Sequence, residues 1–160
     1  MKNYQIRPYQ TEDKDALKEL LYELDLYHYQ NAPCLYNAPE KVANLREQGD
    51  FFSNVIKNEY VTLISHNQGH VFGYIHGFIK EVNSIVSQRR KIGFVQELVI
   101  SSEARGFGLG KKMLMAFETE IQRSGVTEFH LSVASFNHIG EQLYKNLGYK
   151  TVSTTMVKRV

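Results

Sequence analysis

A run of β-forming residues, Ile92 to Ile100, is followed after only four residues by Arg105-Gly106-Phe107-Gly108-Leu109-Gly110-Lys111. An apolar stripe at Leu109, Met113, Phe117 and Ile121 begins inside those glycines. No other feature restricts the fold as tightly. A buried strand must run into a glycine-spaced turn, and that turn must open an amphipathic helix, which Arg123-Ser124-Gly125 then stops. Physically this is an anion site. The first N–H groups of a helix lack partners, the helix dipole favours negative charge there, and glycines let an anion approach the backbone. Arg105 and Lys111 add positive charge at its mouth.

Three phosphate-binding patterns compete for this segment. A nucleotide-triphosphate loop needs glycine where Arg105 stands and Ser or Thr where Lys112 stands, so it fails. The dinucleotide fingerprint fails on the spacing of Gly106, Gly108 and Gly110 and on the need for a βαβ start. The pattern that fits is R-x-x-G-x-G, from Arg105 through Gly108 to Gly110.

The rest of the chain supplies elements around it. Tyr4–Arg7 reads as a short strand ended by Pro8. Thr11 is placed to cap a helix with Glu12 and Asp13 in its first turn, and Leu17, Leu20, Leu21 and Leu24 recur at helical spacing. Pro39 suits the start of a second helical region, which Gly49 divides. Tyr60–His66 and Val71–Glu81 form a hairpin about Asn67-Gln68-Gly69, and Asn83–Lys91 reads as a loop. Glu128–Ala134 is a strand, Asn137–Leu147 a helix with Ile139, Leu143 and Leu147 inward, and Tyr149–Lys158 a last strand. The order β-αα-β-β-β-α-β-α-β gives a mixed α/β sandwich over one domain, 1–160, rather than an alternating doubly wound fold.

Composition excludes more than it assigns. The 160 residues are 42% hydrophobic and 22% charged, with net charge +2. That balance gives no electrostatic case for nucleic acid, and Arg89-Arg90-Lys91 reads as a solvated hairpin tip. No segment is apolar enough for a membrane span, and no signal-peptide core opens the chain, so cytoplasm is the expected compartment. Cys34 is the one cysteine, which excludes an intrachain disulfide or a multi-cysteine zinc site. The six histidines show no metal-ligand spacing, and no metal is expected.

The strand, the R-x-x-G-x-G turn and its helix resemble the pyrophosphate-binding motif of the GNAT superfamily of acetyl-CoA-dependent N-acetyltransferases. A second signature of that superfamily, an Asn opening a helix that ends Tyr-x-x-x-Gly-aromatic, resembles Asn137 through Tyr144 to Gly148-Tyr149. One helix and one strand separate the two, as in the family. The first sixty residues match by pattern of elements only. The resemblance implies a mostly antiparallel central sheet flanked by helices, acetyl-CoA as the acetyl donor, and a primary amine as the acceptor. It also makes a homodimer the expected assembly.

It implies site residues as well. Arg105, Gly106, Phe107, Gly108, Leu109, Gly110 and Lys111 would hold the pyrophosphate. Backbone near Leu98, Val99 and Ile100 would meet the oxyanion at a bulge and pair with the pantetheine, which Asn137 would also contact. Tyr144 would be the general acid for the departing thiolate. A lysine-like amine has a pKa of about 10.4, so deprotonating it near pH 7 costs roughly 4–5 kcal/mol, and a base is needed. Glu97 is the candidate, with Val95 and Val99 on its own face of the strand and Gln96 and Leu98 on the other. Its second reading is a carboxylate that binds the amine electrostatically. His76 is placed to look into the acceptor site. Asp25, Tyr27, His28, Tyr29 and Tyr36 form an aromatic, slightly acidic set suited to an ammonium ion, which favours a small amine, a lysine-like side chain or a peptide amine. A CoA-binding module without turnover is the alternative from another class.

Overall fold

The computed structural model describes residues 3–160. A five-stranded sheet runs in the order β1 (Gln5–Pro8), β2 (Tyr60–Asn67), β3 (His70–Ser84), β4 (Ser87–Ile100) and β5 (Phe129–Leu131). The first three pairings are antiparallel and β4–β5 is parallel. One face is covered by α1 (Lys14–Asn31), α2 (Pro39–Gln48) and α3 (Phe51–Asn54). The other is covered by α4 (Leu109–Gln122), with α5 (His138–Asn146) beside it.

The apolar spacing explains both layers. Leu17, Leu20 and Leu21 of α1 pack with Ile64, Tyr74 and Val99 of the sheet. Leu109, Met113, Phe117 and Ile121 of α4 are each at most 1% exposed, against Leu63, Ile75 and Val95 from the opposite face of the same strands. Burying four such side chains contributes about 6–12 kcal/mol before entropy is charged against it. Gly77 and Gly93 admit α4 to the sheet: a Cβ on Gly77 would lie 2.7 Å from the Phe117 ring, and one on Gly93 would lie 2.9 Å from Ile121.

Several expectations are corrected. Thr11 does not cap α1. Thr11–Asp13 is a single 3-10 turn, and the Asp13 carboxylate accepts the Gln10 N–H while pairing with Arg7. The segment 83–91 is not a loop. β3 and β4 stay paired out to Ser84 and Ser87, and Arg89 and Arg90 lie on β4, facing Glu81 and Glu128. The backbone ladder with β3 orders this run, so it lies on a strand just past the turn at 85–86 rather than in a loop. Ile139 is 82% exposed, because α5 seats Leu143 against Gly110 of α4 while no described residue covers its first turn. The expected last strand, Tyr149–Lys158, does not form: residues 150–160 are exposed and carry no regular structure. Only three residues of β5 are paired with the sheet, so a following strand finds little ladder to extend.

Candidate functional site

The glycine turn supplies the first part of the site. Gly106 and Gly108 have φ of +81° and +73°, conformations that side-chain-bearing residues pay to enter. Gly108 is the residue before α4, so the free amides of the first helical turn open beside it. Gly110 is different. A Cβ there would lie 3.1 Å from Leu143 Cδ2, so this glycine serves the contact with α5 rather than the turn. Arg105 is fixed from two sides. Its Nε donates to the Ile100 carbonyl at 3.0 Å and its Nη2 to Glu23 of α1 at 2.6 Å, while the same Glu23 oxygen accepts the Ser102 N–H. Phe107 and Lys111 are exposed. This turn, with open backbone and no Cβ in the way, fits a pyrophosphate.

The second part is a parting of strands. β4 pairs with β5 only through Gly93, Phe94 and Val95. From Glu97 to Ile100, β4 keeps its partner β3, and from Gln96 onward it has none on the β5 side among the described residues. That free edge leads directly to the glycine turn. The bulge expected near Leu98–Ile100 lies elsewhere. Those residues pair regularly with β3, and the extra residue is Gln96, between Val95 opposite Gly77 and Glu97 opposite His76. The bulge changes which side chains share a face. Val95 belongs to the core under α4, not to the face of Glu97, whereas Gln96 lines the same cavity as His76.

Glu97 is held on the α1–α2 side. Arg46 of α2 inserts its guanidinium between two carboxylates, Asp25 of α1 and Glu97, with the Glu97 Oε1 at 3.2 Å. The guanidinium also lies 5.4 Å from the Phe51 ring centre. All three charged side chains are at most 18% exposed. Burial pushes the Glu97 carboxyl up, and Arg46 pulls it back part of the way. Glu97 Oε2 is buried without a hydrogen-bond partner. The Tyr74 phenol is near enough for the two groups to shift one another, and burial first, then Glu97, drives the Tyr74 pKa well up.

A cavity of about 370 Å³ opens here, lined among others by Arg46, Phe51, Tyr60, His76 and Gln96. His76 is 3% exposed and hydrogen-bonded to Thr62 at 2.8 Å. The aromatic set at the end of α1 is sited apart from this cavity. Tyr27, His28 and Tyr36 surround Phe136, which precedes α5, and Asp25 is spent on Arg46.

Tyr144 approaches from the other face. Like Leu98 and Ile100, it packs against the core under α4, its ring lies 6.0 Å from that of Tyr149, and burial pushes its pKa up. Its hydroxyl has no hydrogen-bond partner among the described residues. Asn137 caps α5 by accepting the Gly140 N–H at 2.9 Å, and a Cβ on Gly140 would lie 2.7 Å from its Nδ2. The space at Gly140 therefore belongs to Asn137 rather than to Tyr144. Glu97 and Tyr144 thus flank β4 from opposite faces, beside its free edge. Sequence reasoning missed Arg46, Glu23, Thr62 and Tyr74. Arg46 lies 51 residues from Glu97, and no local pattern announces such a pairing.

The sequence model of the Acetyltransferase (GNAT) family matches residues 16–149. No curated protein sequence matches the chain. Among solved structures, a tetramutant of the BH1408 protein from Bacillus halodurans is similar with a TM-score of 0.85 at 18% identity, over 98% of this chain and 99% of that one. The aminoglycoside N-acetyltransferase AAC(6')-Iy in complex with CoA gives 0.71 at 13%, over 98% of each chain. The 6'-N-acetyltransferase AAC(6')-Ih from Acinetobacter baumannii gives 0.70 at 16%, over 99% of this chain and 98% of that one. At these identities the likeness is one of fold. The sequence match spans both the glycine turn and the Asn137–Tyr149 segment, and by it the chain belongs to the GNAT acetyltransferase family.

Proposed function

We propose that the protein is an N-acetyltransferase that moves the acetyl group of acetyl-CoA directly onto a primary amine. The observation that carries this reading is the free edge of β4, continuous with a glycine turn at the head of α4. An extended, anionic thioester donor needs both: an unpaired strand edge for its amide-bearing arm and unpartnered helix amides for its pyrophosphate.

In this reading Arg105, Lys111 and the backbone from Gly106 through Phe107, Gly108, Leu109 and Gly110 hold the pyrophosphate. The edge at Leu98, Val99 and Ile100, with the free Nδ2 of Asn137, receives the pantetheine arm. Oε2 of Glu97 takes the proton from the acceptor ammonium, which frees the nitrogen lone pair to attack the thioester carbonyl. As the tetrahedral adduct collapses, the carbon–sulfur bond breaks, the nitrogen sheds its second proton to solvent, and Tyr144 gives its phenolic proton to the departing thiolate. Solvent then restores both groups. Burial favours each role, since it raises a carboxyl toward neutrality and keeps a phenol protonated. Arg46 tempers the first by holding Oε1.

Similarity to aminoglycoside acetyltransferases supports an amine acceptor without choosing one. The test is mass spectrometry of an amine panel, small amines and lysine or N-terminal peptides, incubated with protein and acetyl-CoA. A product carrying one added acetyl group, absent without protein, is expected. Acetyl-CoA binding with no acetylated product from any amine would instead favour a CoA-binding module.

A further inference from the structure

His76 faces the cavity lined by Arg46, Phe51, Tyr60 and Gln96 in a state that its neighbours dictate. The Thr62 hydroxyl lies 2.5 Å from the Val55 carbonyl and 2.8 Å from His76 Nδ1. A carbonyl oxygen only accepts, so the single hydroxyl proton of Thr62 goes to Val55. The Thr62 oxygen must then accept, and Nδ1 must carry the imidazole proton. A neutral ring in that tautomer has a bare lone pair at Nε2. No described residue bonds to Nε2, although the ring is otherwise enclosed by Tyr74 in stacking contact, Tyr60 and Phe51.

The charged and titratable groups around the ring leave it neutral. They are Arg46 from α2, Glu97 from β4, Tyr60 from β2 and Tyr74 from β3, with Asp25 of α1 behind Arg46. Arg46 is engaged by both carboxylates, and burial lowers the His76 pKa to about 4. Such a ring is a weak base and a poor candidate for the proton taken at Glu97. It is instead a fixed acceptor. A structural histidine this deep would be expected to have both nitrogens partnered, so the free one points to a ligand.

We propose that His76 selects the acceptor, its Nε2 lone pair taking a hydrogen bond from a second donor, a hydroxyl or an amine, on the molecule whose primary amine is acetylated. A carboxylate or carbonyl at that place would meet lone pair with lone pair, and an alkyl group would leave the nitrogen dry and unpaired. The cavity is suitably joined to the reaction site, because Gln96 both lines it and is the first residue of β4 past the β5 pairing. This inference deepens the acetyl-transfer reading and rests on it.

The test uses matched amines of equal size: ethanolamine against propylamine, and putrescine against pentylamine. The expected ratio of kcat/KM, donor-bearing over alkyl, is about ten or more in the wild-type protein, and it collapses toward one in His76→Phe. A ratio that survives the substitution overturns the proposal. Nitrogen NMR of histidine-labelled wild-type protein gives a readout that needs neither the variant nor turnover. Nδ1 should be protonated and Nε2 bare at neutral pH, and ethanolamine or putrescine should move the Nε2 signal where the alkyl amines do not. A protonated Nε2, or a signal that none of the four amines moves, also overturns it. A selective shift with no acetylated product would keep only the hydrogen bond at Nε2 and remove the transfer reading; acetylation without selectivity would keep transfer and overturn the selecting role.

Discussion

Arg46 and Glu97, 51 residues apart in sequence, meet at 3.2 Å beneath the free edge of β4. This pair, more than the strand that carries Glu97, sets how readily that carboxylate takes a proton. Arg46 lowers the Glu97 pKa against the upward push of burial. Arg46→Gln should therefore raise it and move the acidic limb of the kcat/KM profile to higher pH. It should also destabilise the fold by about 3 kcal/mol, as expected when one partner of a buried pair is removed. A pH–rate series with a urea titration reads both. An unmoved limb would mean that Glu97 is not the group that titrates.

Tyr144→Phe should cut turnover strongly while acetyl-CoA affinity barely changes, since the hydroxyl has no partner among the described residues to lose. Steady-state kinetics and calorimetric binding on the same preparation separate the two. Equal losses in both would count against the acid role.

The glycines of the turn should rank by backbone. Gly106→Ala and Gly108→Ala each force a side chain into a left-handed conformation, at about 1–2 kcal/mol, and should weaken acetyl-CoA binding. Gly110→Ala meets Leu143 Cδ2 at 3.1 Å, a flexible neighbour, and should cost less. Calorimetric affinities for the three variants check the order.

His76 gives stability a pH dependence. Its folded pKa of about 4 lies below the ordinary 6.5, so the folded state resists protonation while the unfolded chain accepts it. The stability it contributes as a neutral ring is complete above pH 6.5 and is lost as pH falls toward 4, by about 3 kcal/mol at roughly 1.4 per pH unit. Glu97 opposes this, because its raised pKa favours the folded state as pH falls. Asp13 acts with His76: Arg7 holds its carboxyl down, and that stability goes as pH drops through its folded value. Chemical denaturation of wild type and His76→Phe across pH 4–7 isolates the histidine as the difference in slope.

The layers and the glycine turn were legible in the sequence because they rest on local periodicity. The α4 stripe, the hairpin at Gln68-Gly69 and the glycine turn each depend on residues a few positions apart. What escaped depends on contacts across the chain. Ile139 reads as inward by spacing, yet no described residue covers it. Tyr149–Lys158 reads as a strand by propensity, yet a strand needs a neighbour to pair with. The face of Val95 was misjudged because alternation holds only along an unbroken ladder, and no residue type marks Gln96 as the break.

That break separates two inheritances within one strand. On either side of Gln96 the ladder with β3 is in phase with what a chain one residue shorter would make, since Val95 meets Gly77 and Glu97 meets His76 regardless. The sheet makes no demand on Gln96. Its side chain can vary while both cores stay registered, so the lining of this cavity can change at that position without moving the ladder.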